Sequence, residues 1–131
     1  MVLRRVHEQI SLACARGALV GHRDPRDDVR VIRHVVALQL AAIDVTDRRR
    51  QAEEIKSRLE ALADVDDGLL DITVHFDLGL VDSHWPVLLV VDFTDNDALL
   101  AYQAHPRHVE VVEWMNTGIV SGRVVVDFEV T

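Results

Sequence analysis

The sequence contains a single cysteine, Cys14, with no second thiol to pair with it. An intrachain disulfide and any metal centre built from several thiolates are thereby excluded, and a reducing compartment suits the chain. Long apolar runs are also missing: 49% of the residues are hydrophobic, yet no stretch approaches the roughly 20 apolar residues of a membrane-spanning helix. Residues 10–20, with Arg4 and Arg5 upstream and Ala13, Ala15 and Ala18 within, have the outline of a secretion signal, but Arg16 interrupts them. The expectation is a soluble, cytoplasmic protein with no membrane partner. Positive charge is scarce where a fold would form. Residues 1–30 hold six arginines against four acids, which leaves eight basic and eighteen acidic residues in 31–131, a net of −10. Such a surface repels phosphate backbones, and without a basic stripe or interleaved aromatics nucleic acid is excluded as a partner.

At 131 residues the chain has room for one core and no second full domain. Its first thirty residues read apart from the rest. Val6, Ile10, Leu12, Leu19 and Val20 keep no steady period, and the segment ends in the turn-prone run Gly21-His22-Arg23-Asp24-Pro25-Arg26-Asp27-Asp28. Residues 1–30 are therefore expected to form an N-terminal extension, either a short helix near 3–16 or poorly ordered chain, and residues 31–131 the domain. A biological start near Val29 or Val31 would account for the change of character. N-terminal sequencing of the native protein that finds residues 1–28 in place refutes that start.

Residues 31–40 are rich in β-branched side chains and apolar on both faces, with Ile32, Val36, Leu38 and Leu40 on one and Val31, Val35 and Ala37 on the other. This predicts a strand covered on both sides. A helix over residues 47–63, capped by Asp44 or Thr46, follows from the stripe Ala52, Ile55, Leu59, Leu62, with charged residues mostly opposite. Asp66-Asp67-Gly68 breaks it. Leu70, Ile72, Val74, Phe76 and Leu78 alternate with polar residues and predict a half-buried second strand. Residues 87–93 make a third strand, again apolar on both faces. Asp95 caps a helix over 96–103, Pro106 opens a further short helix over 107–115 that Gly118 ends, and residues 123–130 form the last strand.

Strand, helix, strand, strand, helix, strand is the split βαβ order, an α+β ferredoxin-like βαββαβ fold with a four-stranded antiparallel sheet. Its helices cover one face of the sheet only. Two strands apolar on both faces demand a cover for the other, and the chain has no element left to supply it. A symmetric homodimer is the commonest solution.

Specific residues then point to a family. Ile32-Arg33-His34-Val35-Val36, the stretch Asp92-Phe93-Thr94-Asp95 followed by Ala98-Leu99-Leu100-Ala101-Tyr102, then His105-Pro106-Arg107-His108-Val109, and the ending Arg123-Val124-Val125-Val126-Asp127-Phe128 together resemble the stress-responsive A/B barrel (Dabb) family. The resemblance covers residues 31–131 and is most specific in Ala101-Tyr102-Gln103-Ala104-His105-Pro106-Arg107-His108. It implies a dimeric α/β barrel in which two sheets pack back to back. Family members include plant stress-induced proteins, bacterial proteins of unknown role, and plant polyketide cyclases that close a linear polyketide by aldol condensation without a cofactor.

By that resemblance His108 matches the cyclase general base and Tyr102 the tyrosine beside it. The residue types suit the work, since a histidine holds a proton near neutral pH and a phenol donates to a developing enolate oxygen. A second cavity histidine of the cyclases matches Val87 here, and only His84 and Trp85, just upstream, are near enough to replace it. The candidate site is thus His108 and Tyr102 as catalytic residues, with His34, Val87 and Trp85 about a small apolar or aromatic ligand. Structural alternatives stand beside each assignment. His105, before Pro106, starts a helix; His108 bonds a backbone carbonyl; Tyr102, three residues after Leu99, is core; His34 is a buried structural histidine; His75 faces solvent. His105 and His108 have no third ligand for a metal, and Asp64, Asp66 and Asp67 lack the spacing of a calcium loop. Arg48-Arg49-Arg50 reads as a solvated face, and Trp114 and Met115 as packing against the sheet or a partner. Three functions follow: a homodimer without catalysis, a polyketide cyclase-like enzyme or ligand-binding protein, and, as the superfamily shares the barrel, a monooxygenase-like activity.

Overall fold

The structure, a computed structural model, describes residues 30–131. The expected N-terminal extension, Arg30 apart, lies outside the described residues. Strand β1 (Val31–Leu40) leads into helix α1 (Val45–Glu60), then β2 (Leu69–Phe76), β3 (Val87–Phe93), α2 (Asn96–Ala104), α3 (Pro106–Met115) and β4 (Val120–Val130). The strands form one sheet in the order β2-β3-β1-β4, and every neighbouring pair is antiparallel. This is the ferredoxin-like α+β topology that the element order predicts.

The termini of the helices are set by side chains. Asp44, not Thr46, caps α1 by accepting the Asp47 amide at 3.1 Å, and Asp95 caps α2 by accepting the Ala98 amide at 2.8 Å. One arginine of the Arg48-Arg49-Arg50 run departs from the solvated face expected of it. Arg48 turns back and donates to the carbonyls of Ala42 at 2.8 Å and Leu40 at 3.4 Å, at the end of β1. Gly68, which ends the turn after α1, is pressed against the start of α2. Thr94 donates its amide to the Gly68 carbonyl at 2.8 Å, and a Cβ on Gly68 would stand 2.5 Å from that of Ala98.

Alternation along the strands sorts the side chains. His34, Val36, Leu38 and Leu40 of β1 face the helices with Val87, Leu89, Val91 and Phe93 of β3, and all eight are buried. Ile55, Leu59, Leu99, Tyr102 and Met115 close over them from the helices. Burying each such apolar side chain contributes roughly 1.5–3 kcal/mol. The opposite face has no helix. Val35, Val90, Val126 and Phe128 lie on it in register, with Val126 54% and Phe128 44% exposed. Amid this apolar surface Arg33 donates twice to Asp92, at 2.8 and 2.9 Å, joining β1 to β3. Among the described residues no helix is long and apolar enough to cross a membrane.

Candidate functional site

Helix α3 lies over β1 but leaves the inner face of the edge strand β4 uncovered, and a cavity of about 330 Å³ opens between them. Its walls are largely Leu, Val and Met, with His34 from β1 and His108 from α3 exposed to it. His108 enters the cavity because it shares the buried side of α3 with Val111 and Met115, spaced one and two turns along. The helix starts at the right point for this: Pro106 occupies its first turn, and His105 caps it by accepting the Arg107 amide on Nδ1 at 3.0 Å. His105 is therefore the helix-initiating residue of this segment.

Both cavity histidines have one ring nitrogen tied down. His108 Nδ1 donates to the Gln103 carbonyl at 3.1 Å, and His34 Nδ1 donates to the Asp127 carboxylate at 2.5 Å. Neither acceptor can donate, so both Nδ1 atoms carry a proton and Nε2 is the nitrogen left without a protein partner on each ring. His108 is held below the ordinary value of 6.5, chiefly by burial, with the charges of His34, Arg123 and His105 acting in the same direction. It is thus a neutral base at physiological pH.

Tyr102 stands behind the histidines. Its ring lies 4.5 Å from that of His108, 5.3 Å from Phe93 and 6.2 Å from His34. It is 0% exposed, its hydroxyl makes no hydrogen bond in the protein, and burial pushes the phenol well above its usual range. The structure thus brings His34, Tyr102 and His108 together, with Tyr102 outside the cavity lining. Val87 and Trp85 are not with them. Val87 is buried in the core of β3, and Trp85 lies across Gly122, whose Cβ would stand 3.1 Å from the indole. His84 faces Asp77 at 3.4 Å, and His75 bonds Thr73 at 2.9 Å on the open side of the sheet.

Asp127 is the member of the site that sequence reasoning missed. It pairs directly with His34 across β1 and β4, and the one signal for it was a lone acid in the apolar run Val124-Val125-Val126-Asp127-Phe128. Among the described residues no group of three or more His, Cys, Asp or Glu is placed to hold a metal ion. Asp64 is engaged by Arg107 at 2.9 Å and Asp66 by the Gly68 amide at 2.8 Å. A neutral imidazole such as that of His108, in a largely apolar cavity, can remove a proton from a carbon acid and return it without a cofactor.

Fold and site together define a ferredoxin-like α+β protein with an open apolar sheet face and a histidine-bearing cavity on the helical side. The chain belongs to the Dabb family, the stress responsive A/B barrel domain, whose model matches residues 32–130. No curated protein matches it. Among solved structures it is similar to a dimeric protein of unknown function from Bacteroides fragilis, at 23% identity and a TM-score of 0.67 over 76% of this chain and 96% of that one. A dimeric ferredoxin-like protein of unknown function from Thermobifida fusca matches at 25% identity and 0.64, over 77% and 92%. A hydroxynitrile lyase from Passiflora edulis matches at 14% and 0.63, over 77% and 94%.

Proposed function

We propose that this chain forms a cytoplasmic homodimer whose subunits each bind a small, mostly apolar or aromatic molecule between α3 and the sheet, and act on it by acid–base chemistry of the polyketide cyclase kind. The observation that carries the reading is the pair of histidines, each with Nδ1 held by an acceptor and Nε2 free, on the wall of one apolar cavity. His108 is the base that takes a proton from a carbon beside a carbonyl. The imidazolium so formed returns that proton to the aldol oxygen, while His34, oriented by Asp127, stands on the same cavity wall and Tyr102 supports both rings from behind. Support for the dimer comes from the exposed apolar sheet face and from the dimeric state named for the Bacteroides fragilis and Thermobifida fusca proteins. A chain of this fold is a hydroxynitrile lyase, so the scaffold accommodates an enzyme.

A second reading, a dimer without catalysis, draws on Tyr102, whose hydroxyl is sealed from the cavity, and on Val87 standing where the cyclases resembled carry a histidine. Ring closure of a linear trioxo acyl thioester, followed by near-ultraviolet absorbance, separates the two. Wild type accelerates closure, and His108→Ala lowers the rate by about 10²- to 10⁴-fold with dimer mass and unfolding midpoint unchanged. No acceleration by wild type, or a variant that loses activity only as it loses stability, establishes the second reading instead.

A further inference from the structure

Eight basic residues serve residues 31–131, and the fold engages seven of them. Arg33, Arg49, Arg50, Lys56, Arg58 and Arg107 each have a carboxylate partner, and Arg48 is held by backbone carbonyls. Arg123 differs. It lies at the rim of the histidine cavity, opposite Leu38 of β1, on the face of β4 that carries Val125 and Asp127. Its one protein partner among the described residues is the Asn116 side-chain oxygen, which accepts from a guanidinium NH₂ at 2.8 Å. A guanidinium has five donors, so most of this fork is unspent, in a domain where acids outnumber bases more than two to one.

Two further observations direct that charge at the cavity. Arg123 is among the charges that hold His108 in its neutral form, so its field reaches the interior. Glu113, the one carboxylate of the lining, makes no ion pair with it. Apart from Gln103 and the two histidines the remaining walls are apolar, and the volume is at the small end of the roughly 300–1,000 Å³ of small-molecule sites.

We infer that the cavity takes a carboxylic acid with a short apolar body, and that Arg123 is the specificity residue that selects the carboxylate over a neutral head group. This deepens the ligand-binding reading and rests on it. A carboxylate is the planar anion that a guanidinium fork binds best. Docked at the rim, it would direct the other end of the molecule inward to His34 and His108.

Calorimetric titration of the full chain with octanoate and with octan-1-ol at about pH 8, where His108 is neutral, tests this. Octanoate binds at least about tenfold more tightly than the alcohol, the worth of one charged hydrogen bond. Arg123→Leu removes that preference by weakening octanoate at least about tenfold relative to octan-1-ol, and Arg123→Lys keeps most of it. Equal binding of both probes by wild type, or a preference that survives Arg123→Leu, overturns the role of Arg123 and leaves an apolar ligand cavity standing. Binding of neither probe by wild type overturns the ligand-binding reading, and this inference with it.

Discussion

His108 ties function to stability through its proton. Burial holds the native imidazole below 6.5, whereas the unfolded chain titrates near that ordinary value. Below about 6.5 the unfolded chain therefore takes up a proton that the native pocket refuses, and stability falls with pH until the depressed native value is reached. Above that window both states are neutral and the contribution is flat. His108→Gln keeps a donor for the Gln103 carbonyl but cannot titrate. In urea unfolding at about pH 7.5 and 5.5, wild type loses more stability on acidification than this variant does; equal losses would show that His108 is not the group responsible. Tyr102 offers a separate test at the same scale. A buried hydroxyl without a partner costs about 1–3 kcal/mol, so Tyr102→Phe stabilises the fold by about 1 kcal/mol, read as a higher unfolding midpoint. Destabilisation would mean that the hydroxyl has a partner in solution. Turnover is the second readout: a rate unchanged in Tyr102→Phe assigns the phenol to packing alone, and a loss assigns it to chemistry.

Within the elements, the bidentate pair of Arg33 and Asp92 links the two central strands on the face that lacks helices. Asp92 is 1% exposed, and the hydrogen bonds from Arg33 raise the guanidinium above its ordinary range. Removing Arg33 leaves the Asp92 carboxylate buried with an unmatched charge, so Arg33→Ala costs about 3 kcal/mol in chemical denaturation, while an Arg33→Met, Asp92→Leu double variant recovers much of that loss. The pair joins residues 59 apart in sequence, and this separates what was legible from what was not. Strand β3 has the bounds that its pattern predicts, because Pro86 and the Asp95 cap mark both ends locally. Strand β4 begins at Val120, three residues before the predicted start, because pairing with β1 across an irregularity at Gln39 and Leu40 draws a loop-like Val-Ser-Gly into the sheet. Tyr102 and His108 were legible as neighbours since one turn joins their helices. Asp127 was not, because its partner His34 lies 93 residues away and only strand register brings them together. Arg48 shows the same limit, as nothing in a basic run reveals which arginine will find a carbonyl.

For the molecule as a whole, the unbalanced quantity is the sheet. One face is sealed by three helices, and the other presents valines at the centre and Val124, Val126 and Phe128 along β4, all substantially exposed. Two copies packed through this face would bury those side chains against each other, at roughly 25 cal/mol per Å² of apolar surface removed from water. The cavity opens on the helical side, so each subunit keeps a complete site after association, and dimerisation and ligand binding are separable. That separation is testable with one substitution. Val126 sits opposite Val35, halfway along β4 on the open face, where a lysine would be desolvated in the dimer and free in the monomer. Val126→Lys is therefore expected to run as a monomer in light scattering at micromolar concentration, where wild type has twice the mass, and to retain octanoate binding at least in part. A wild type of monomer mass would leave that apolar face exposed to water and remove the physical basis for the barrel. A Val126→Lys dimer would place the interface elsewhere on the chain.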